Sequence, residues 1–213
     1  MRTGTENQMK LVLIRHGETA SNKERRYLGR TEESLSAEGA EQLEKNKALR
    51  RYPAVDLLFS SPMKRCVETA AILYPTVRPV TVSQWREIDF GVFEGKNYEE
   101  LKQDTRYIRW MDSNGTLPFP EGESREAFFT RCEEGFEVMT NYLGAAEKEA
   151  EEKKAGKKPE TVGIIVHGGT IMALLGRFCG GYFEYQVPNG NGYVCGLRKY
   201  RGRLLPENPQ RLF

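Results

Sequence analysis

Four short runs of branched apolar residues, separated by longer stretches with helical periodicity, most constrain how this chain folds. The runs are LVLI (11–14), VDLLFS (55–60), VRPVTV (77–82) and VGIIV (162–166). Apolar runs of this length are typical of strands that are buried on both faces of a sheet. Because strands that alternate with helices favour βαβ units, the sequence predicts an α/β fold, a three-layer α/β/α sandwich with a mainly parallel central sheet.

The segments between the runs carry signals for helix starts. LSAEGAEQLEKNKALRRY offers Ser36 as an N-cap, and SSPMKRCVETAAILY offers Ser61 as an N-cap with Pro62 at the first helical position. A third helix is predicted to begin near Ser124 and to end in GAAEKEAEEKKAGKKPE. This Ala, Glu and Lys segment indicates the exposed end of a long helix, with a recognition tail as the alternative. GYVCGLRKYRGRLL predicts an antiparallel hairpin at a sheet edge.

The chain has 213 residues, which predicts a single domain over residues 10–213 after a flexible tail over residues 1–9. Residues 85–125 interrupt the alternation with the helical pattern YEELKQDTRYIRWMD and the breaker-rich NGTLPFPEGES. An insertion of this size is expected to form a lid or wall over a site.

Charge and cysteine usage limit the possible partners and the compartment. Lys and Arg number 32 against 30 Asp and Glu, so no basic excess points to nucleic acid or to a membrane surface. MRTGTENQMK lacks an apolar signal core, and no apolar run approaches membrane-spanning length. Since the four cysteines form no CxxC pair, we expect reduced thiols in a cytoplasmic protein, rather than disulfides or metal ligands. The oligomeric state stays open.

The chain has only two histidines, and each follows a predicted strand and precedes glycine. His16 lies in LVLIRHGETASN and His167 in VGIIVHGGT. Ligands bind at the carboxyl ends of parallel strands, and glycine lets the backbone turn and lets a ligand approach. The alternative for each histidine alone is a hydrogen-bonded core or loop residue.

Two arginines stand in similar places. Arg15 adjoins His16, and Arg65 lies in the first turn of the helix that follows FSSP. Guanidinium groups bind phosphate oxygens through two hydrogen bonds, and a helix start adds free N–H groups. Two arginines and two histidines around one point would form a pocket for a dianion such as a phosphate monoester. For Arg65, a solvated helix position is the alternative.

A proton donor is available in WREIDFGVFEG. Glu87 and Asp89 follow the third predicted strand. A carboxyl group beside a phosphate dianion is shifted towards its protonated form, the state that can protonate a departing alkoxide. The alternative is that Glu87, Asp89 and Glu94 are surface acids of a loop.

Six motifs, in order over residues 10–200, resemble the signature blocks of the histidine phosphatase superfamily, which includes the cofactor-dependent phosphoglycerate mutases. They are LVLIRHGETASN, LSAEGAEQ, SSPMKRCVETA, WREIDFGVFEG, FPEGES and IIVHGGT. The resemblance implies that His16 is the phosphate-accepting nucleophile and Glu87 the acid and base. It also implies that the phosphoryl oxygens are surrounded by Arg15, Arg65 and His167, and that the substrate is bound by Asn22, Gly29 and the backbone at Gly168. Because the phosphoryl charge would be offset by Arg15, Arg65 and a protonated His167, no metal or cofactor is expected.

Within the superfamily, RYLGRTEESLSAEGAEQ and FPEGES are most similar to the α-ribazole phosphatases of cobalamin assembly, although Ser34 stands where their pattern has proline. The resemblance implies a metal-independent phosphomonoesterase that acts through a phosphohistidine on a small phosphorylated metabolite, with α-ribazole 5′-phosphate as one candidate. Phosphoglycerate mutase-type transfer, broad phosphatase specificity and a non-catalytic binding module are the alternatives. An aromatic and basic wall is expected from seven residues whose alternative role is packing: Tyr27, Arg30, Trp85, Arg86, Tyr98, Trp110 and Phe119.

Overall fold

A computed structural model of the chain describes residues 9–152, 158–200 and 203–213. Six strands form one sheet: β1 (Lys10–Arg15), β2 (Leu57–Ser60), β3 (Val80–Thr81), β4 (Thr161–Val166), β5 (Gly192–Tyr200) and β6 (Arg203–Arg211). Their order across the sheet is β3-β2-β4-β1-β5-β6. The first four strands in this order run parallel, and β5 and β6 continue the sheet as antiparallel neighbours. The mainly parallel sheet and the edge hairpin are therefore confirmed.

Seven α-helices accompany the sheet in the described part of the chain: α1 (Ala20–Lys23), α2 (Ala37–Ala48), α3 (Lys64–Leu73), α4 (Tyr98–Leu101), α5 (Thr105–Asp112), α6 (Arg125–Glu152) and α7 (Gly168–Cys179). Three short 3-10 helices span Ser83–Trp85, Gly91–Phe93 and Phe183–Tyr185. None of the helices within the described residues is both long and apolar enough to cross a membrane.

Side chains that alternate along β1 separate two buried clusters, one on each face of the sheet. Leu11 and Leu13 belong to the cluster that contains residues of α6 and α7. Val12 and Ile14 belong to the cluster that contains residues of α2 and α3. Because neighbouring residues of a strand point to opposite faces, this division gives the predicted three layers.

The register between β1 and β4 fixes the edge at which the two histidines emerge. Arg15 is paired with Val166 at the ends of the two strands. One residue further, the His16 N–H donates to the Val166 carbonyl over 2.9 Å. His16 and His167 therefore leave neighbouring parallel strands at the same level, as the sequence predicts.

The start of α3 differs from the prediction. Ser61 is not its N-cap and Pro62 is not its first residue, since the helix begins at Lys64 with Met63 as the N-cap. The Ser61 N–H donates to the Ile165 carbonyl over 2.9 Å, so residue 61 still continues the direction of β2. Its hydroxyl is bonded to His167 at 2.8 Å. Ser61 is thus bonded to β4 and to His167, and α3 begins three residues after it.

Other predicted elements changed in length. The strand predicted over residues 77–82 shortens to β3, whose pairing with β2 covers two residues. Pro79 supplies no N–H to extend this edge pairing. The pattern predicted as one helix over residues 98–112 divides into α4 and α5, because the Asp104 side chain accepts the N–H of Arg106 and starts a new helix.

The remaining helix predictions agree with the structure. Ser36 caps α2 by accepting the N–H of Gly39. The long helix α6 begins one residue after Ser124, whose hydroxyl accepts the N–H of Ala127. Parts of three predicted segments lie outside the described residues: the tail over residues 1–8, residues 153–157 of the charged segment and residues 201–202 of the hairpin. All four cysteines lie within the described residues and are unpaired thiols.

Candidate active site

The two histidine rings lie side by side at the carboxyl edge of the sheet. Their centroids are 5.2 Å apart, and His16 and His167 are 3% and 0% exposed. His167 is also the N-cap residue of α7, and its side chain makes no capping bond to that helix. The first N–H groups of α7 therefore face the same region as the two rings.

A hydrogen bond fixes the tautomer of His16. Its Nδ1 lies 2.7 Å from the carbonyl oxygen of Gly17. Because a carbonyl oxygen only accepts, Nδ1 carries the proton in this bond. Burial and the charges of Arg65 and Arg15 hold the pKa of His16 well below its ordinary value of 6.5, so the ring is neutral. Nε2 is consequently unprotonated and has the lone pair that a nucleophile needs.

His167 is neutral for the same physical reasons. Burial, followed by the charge of Arg65, holds its pKa well below 6.5. Burial and this charge favour the neutral ring, whereas the protonated His167 of the predicted mechanism concerns the ring beside a phosphoryl dianion. Ser61 Oγ lies 2.8 Å from His167 Nε2, and the Cys66 sulfur lies 3.6 Å from the same nitrogen.

Both arginines keep part of their guanidinium groups unpaired. Arg65 is 0% exposed, and it donates to the carbonyls of Thr31 and Gly29 at 3.0 and 2.8 Å. Arg15 donates to the Val187 carbonyl at 2.8 Å. The Nε atoms of Arg15 and Arg65 are buried and have no hydrogen-bond partner among the described residues. Buried donors of this kind are normally paired, so the two groups are suited to an anion. The solvated position considered for Arg65 is wrong.

Glu87 is the buried acid of the site. Its oxygens accept the N–H of Ile88 at 3.0 Å and that of Gly169 at 3.4 Å. Burial raises the pKa of this carboxyl, although the two backbone N–H groups and the charges of Arg65 and Arg15 oppose the rise. A raised pKa favours the protonated form of Glu87, which is the form that a proton donor needs.

The other two acids of the same motif hold the backbone. Glu94 accepts the N–H groups of Gly29 and Arg30 at 3.1 and 3.0 Å. Asp89 accepts the N–H of Gly91 at 2.9 Å and lies 3.4 Å from the Arg30 guanidinium. Neither Glu94 nor Asp89 is among the residues that line the clefts described below. Glu87 therefore differs from Asp89 and Glu94, because it lines the clefts whereas they bind backbone N–H groups.

Three residues were predicted to bind substrate. Gly168 opens α7 beside Arg15, whose Nε would lie 3.4 Å from a Cβ atom added at this glycine. Asn22 uses Oδ1 to accept from Asn189 at 2.9 Å and from the Thr19 N–H at 3.3 Å, and its Nδ2 has no partner among the described residues. Gly29 is different, because its N–H and carbonyl are occupied by Glu94 and Arg65. It positions Arg65 and has no free N–H for a ligand.

Two clefts meet at Glu87. The first has a volume of about 560 Å³, and its lining includes Arg15, Gly168 and Gly169. The second has a volume of about 480 Å³ and is mainly aromatic and aliphatic. Glu87, Gly169 and Met172 line both clefts. An acid therefore lies at the boundary between a polar compartment and an apolar one.

The aromatic wall expected from the sequence is formed by only part of the predicted set. Tyr27, Trp110 and Phe119 line the second cleft, together with residues that the sequence did not single out: Ile88, Phe90, Phe128, Met172, Tyr182 and Phe183. The other four predicted members are wrong: Trp85 is fully buried and donates to the Cys132 carbonyl, while Arg30, Arg86 and Tyr98 are exposed away from it. Residues 85–125 supply much of this wall.

Sequence reasoning missed three residues that position the site. Thr69 accepts the Gly17 N–H at 3.0 Å and donates to the Arg65 carbonyl at 2.7 Å. Asn189 donates to the His16 and Gly17 carbonyls at 3.1 and 3.3 Å. Ser61, which the sequence predicted as a helix cap, is instead bonded to His167 Nε2 at 2.8 Å. Thr69 lies four residues after Arg65, on the same side of α3, which was the one available signal.

A buried histidine pair with unpaired guanidinium groups and a buried acid is an arrangement for phosphoryl chemistry, and comparison with known proteins gives the same class. Residues 11–205 match the family described as the histidine phosphatase superfamily (branch 1). The chain belongs to this superfamily of enzymes, and the resemblance seen in its motifs is confirmed.

Individual relatives carry two kinds of name. The chain is 27% identical over 189 residues to a 2,3-bisphosphoglycerate-dependent phosphoglycerate mutase of Bifidobacterium longum (strain DJO10A), with 78% of this chain and 75% of that protein covered. A phosphoglycerate mutase structure from Thermus thermophilus is 31% identical, has a TM-score of 0.64 and covers 92% of this chain and 96% of its own. The α-ribazole phosphatase structure from Shigella flexneri has a TM-score of 0.74 at 23% identity, over 93% of this chain and 95% of its own, and shows the shared fold.

Proposed function

We propose that this protein is a metal-independent phosphomonoesterase that hydrolyses a small phosphate ester through a phosphohistidine intermediate. The observation that carries the proposal is the neutral His16 with its free Nε2, beside His167 and the two unpaired guanidinium Nε atoms of Arg15 and Arg65. This combination supports a nucleophile set against a binding site for three phosphoryl oxygens.

In the first half-reaction, His16 Nε2 attacks phosphorus in line with the ester oxygen. The N–P bond forms as the P–O bond to the leaving group breaks, and Glu87 gives its proton to the departing oxygen. Arg15, Arg65 and the N–H groups at the start of α7 stabilise the charge on the phosphoryl oxygens. The dianion raises the pKa of His167, so the ring takes up a proton from solvent when the ester binds, keeps it through the cycle and donates a hydrogen bond to a phosphoryl oxygen.

In the second half-reaction, the Glu87 carboxylate accepts a proton from water as the water oxygen attacks phosphorus. The N–P bond breaks, inorganic phosphate is released and His16 returns to its neutral form. Raised by burial, the pKa of Glu87 suits a group that alternates between acid and base within one cycle.

The position of Glu87 between two clefts supports an aromatic or apolar alcohol as the leaving group. A phosphoryl group bound beside Arg15 and Gly168 brings the ester oxygen to Glu87, and the alcohol then occupies the apolar cleft. α-Ribazole 5′-phosphate, an intermediate of cobalamin assembly, is one candidate with an aromatic base. The cytoplasmic location that the sequence predicts stays a prediction.

Phosphoglycerate mutase activity is the second candidate, favoured by the names of relatives near 30% identity. The second cleft has one cation, Arg125, among mainly aromatic and aliphatic lining residues, and such a lining suits an aromatic alcohol better than the small, hydrophilic phosphoglycerates. Interconversion of 3- and 2-phosphoglycerate that depends on a bisphosphorylated primer would establish the mutase and contradict the phosphatase.

His16→Ala tests the nucleophile directly. We expect it to abolish hydrolysis of p-nitrophenyl phosphate and of α-ribazole 5′-phosphate, while thermal melting shows a folded protein. Full activity in this variant would end the assignment.

Chelation tests the metal-free chemistry. Among the described residues, no group of three or more His, Cys, Asp or Glu side chains is arranged to hold a metal ion. We expect EDTA to leave the hydrolysis rate unchanged. Loss of activity that one added metal restores would require a different mechanism.

A further inference from the structure

The apolar cleft contains a cation that the proposed mechanism does not use. Arg125 lines this cleft and is the only Lys or Arg among its lining residues. Its side chain is half-buried, and its guanidinium makes no hydrogen bond or ion pair with any described residue. A partly buried cation has lost part of its hydration, and an anionic group of a ligand would replace the lost interactions.

Arg131, further along the same helix, is a structural arginine whose hydrogen bonds can be compared with those of Arg125. It binds Glu123 through Nε and Nη2 at 2.7 Å, and it also donates to the carbonyls of Gln84, Arg86 and Glu87. Every nitrogen of the Arg131 guanidinium is used to join α6 to the segment that carries Glu87. Arg125 joins nothing.

The position of Arg125 on its helix is also unfavourable. It is the first residue of α6, a helix of 28 residues, and the amino end of a helix carries a partial positive charge. A cation is therefore disfavoured there by both the helix and the partial burial. Aromatic packing gives no compensation, because the cation–π contacts among the described residues involve Arg51, Arg131 and Arg198 but not Arg125.

We propose that Arg125 is a specificity-determining residue that binds an acidic group on the alcohol part of the substrate. The preferred substrates would then be phosphate monoesters of aromatic alcohols that carry a second anionic group, such as a carboxylate. The inference rests on the proposed function, because it uses the phosphoryl site to orient the substrate. With the ester oxygen at Glu87, the ring contacts Trp110 and Phe119, and the acidic group meets Arg125.

The test compares three synthetic esters: 4-methylphenyl, 3-carboxyphenyl and 4-carboxyphenyl phosphate. Arg125→Gln is expected to lower kcat/KM for at least one carboxyphenyl ester about tenfold or more, mainly through KM, since a hydrogen bond to a charged group is lost. For the 4-methylphenyl ester the change should stay within about threefold. Arg125→Lys keeps the charge and should recover part of the loss.

Arg109→Gln is the matched control. Arg109 is exposed on α5, lies outside the two clefts that meet at Glu87, and its replacement changes the net charge by the same amount. An equal loss in both Gln variants, or a loss in Arg125→Gln that is the same for all three esters, would overturn the specificity role alone. If the unmodified protein hydrolysed none of the esters, both proposals would fall.

Discussion

Thr69→Val removes one hydroxyl group and almost preserves the shape of the side chain. Thr69 is 0% exposed, and its oxygen accepts the Gly17 N–H at 3.0 Å. The Gly17 carbonyl in turn accepts a hydrogen bond from His16 Nδ1, with 2.7 Å between the nitrogen and the oxygen. The substitution therefore affects His16 indirectly, through the backbone of Gly17, and removes no atom that contacts the imidazole ring.

The expected magnitude follows from the bond that is lost. Val leaves the Gly17 N–H without an acceptor in a buried place, and an unsatisfied buried donor costs about 1–3 kcal/mol. The bond from Thr69 to the Arg65 carbonyl adds little, since that carbonyl is already in a helix. If the backbone stays in place, the melting temperature falls by roughly 2–4 °C for each kcal/mol.

If the backbone of Gly17 turns to find another partner, the carbonyl that fixes the His16 tautomer moves with it. The same free energy then appears as a fall in kcat/KM of about 5- to 150-fold. The assay measures p-nitrophenyl phosphate hydrolysis and thermal melting for Thr69→Val and Thr69→Ser. Serine restores the hydroxyl and should recover activity. The reasoning is refuted if the valine variant matches the unmodified protein in both measurements, or if serine is no better than valine.

Three further predictions concern Glu87, the histidines and Gly169. Glu87→Gln should lower kcat by about 10²–10⁴-fold. It should also raise the melting temperature at pH 8 but not at pH 4. The reason is that a carboxyl whose pKa is raised on folding contributes stability at low pH and loses it as pH rises. An unchanged difference between the two pH values would contradict this. Since burial holds the pKa of His16 and His167 below 6.5, the NMR signals of both imidazole rings should stay level as pH falls through 6.5, and a titration centred there would show that the rings titrate normally. Gly169→Ala would place a Cβ 2.5 Å from Glu87 Oε1 and should lower activity about tenfold or more, whereas Gly144→Ala, with nothing within 4 Å of its Cβ, should leave it unchanged.

The sequence predicted well which residues come together at the edge of the sheet, because strand ends fix their positions. His16 and His167 follow β1 and β4, and the apolar runs that identify these strands are unambiguous. Arg65 and Glu87 were found through motif order and residue type. In each case the backbone position of the residue follows from the sheet.

Predictions failed where a residue had two competing partners. Ser61 fits a helix cap by sequence, but it bonds His167 and the helix begins at Lys64. Trp85 and Tyr98 are aromatic residues of the inserted segment, and only tertiary packing buries the former and exposes the latter. Thr69 and Asn189 act through backbone groups of the His16 loop, which no local pattern reveals.

The two clefts that meet at Glu87 are built from different parts of the chain, because Arg15 and Gly168 lie at a strand end and a helix start, whereas residues 85–125 supply much of the apolar lining. In the proposed reaction, the groups at strand ends and helix starts bind the phosphoryl unit, and the inserted segment supplies much of the surface that contacts the alcohol. Insertions or ring exchanges within residues 85–125 would therefore change which ester is accepted without disturbing how phosphorus is attacked.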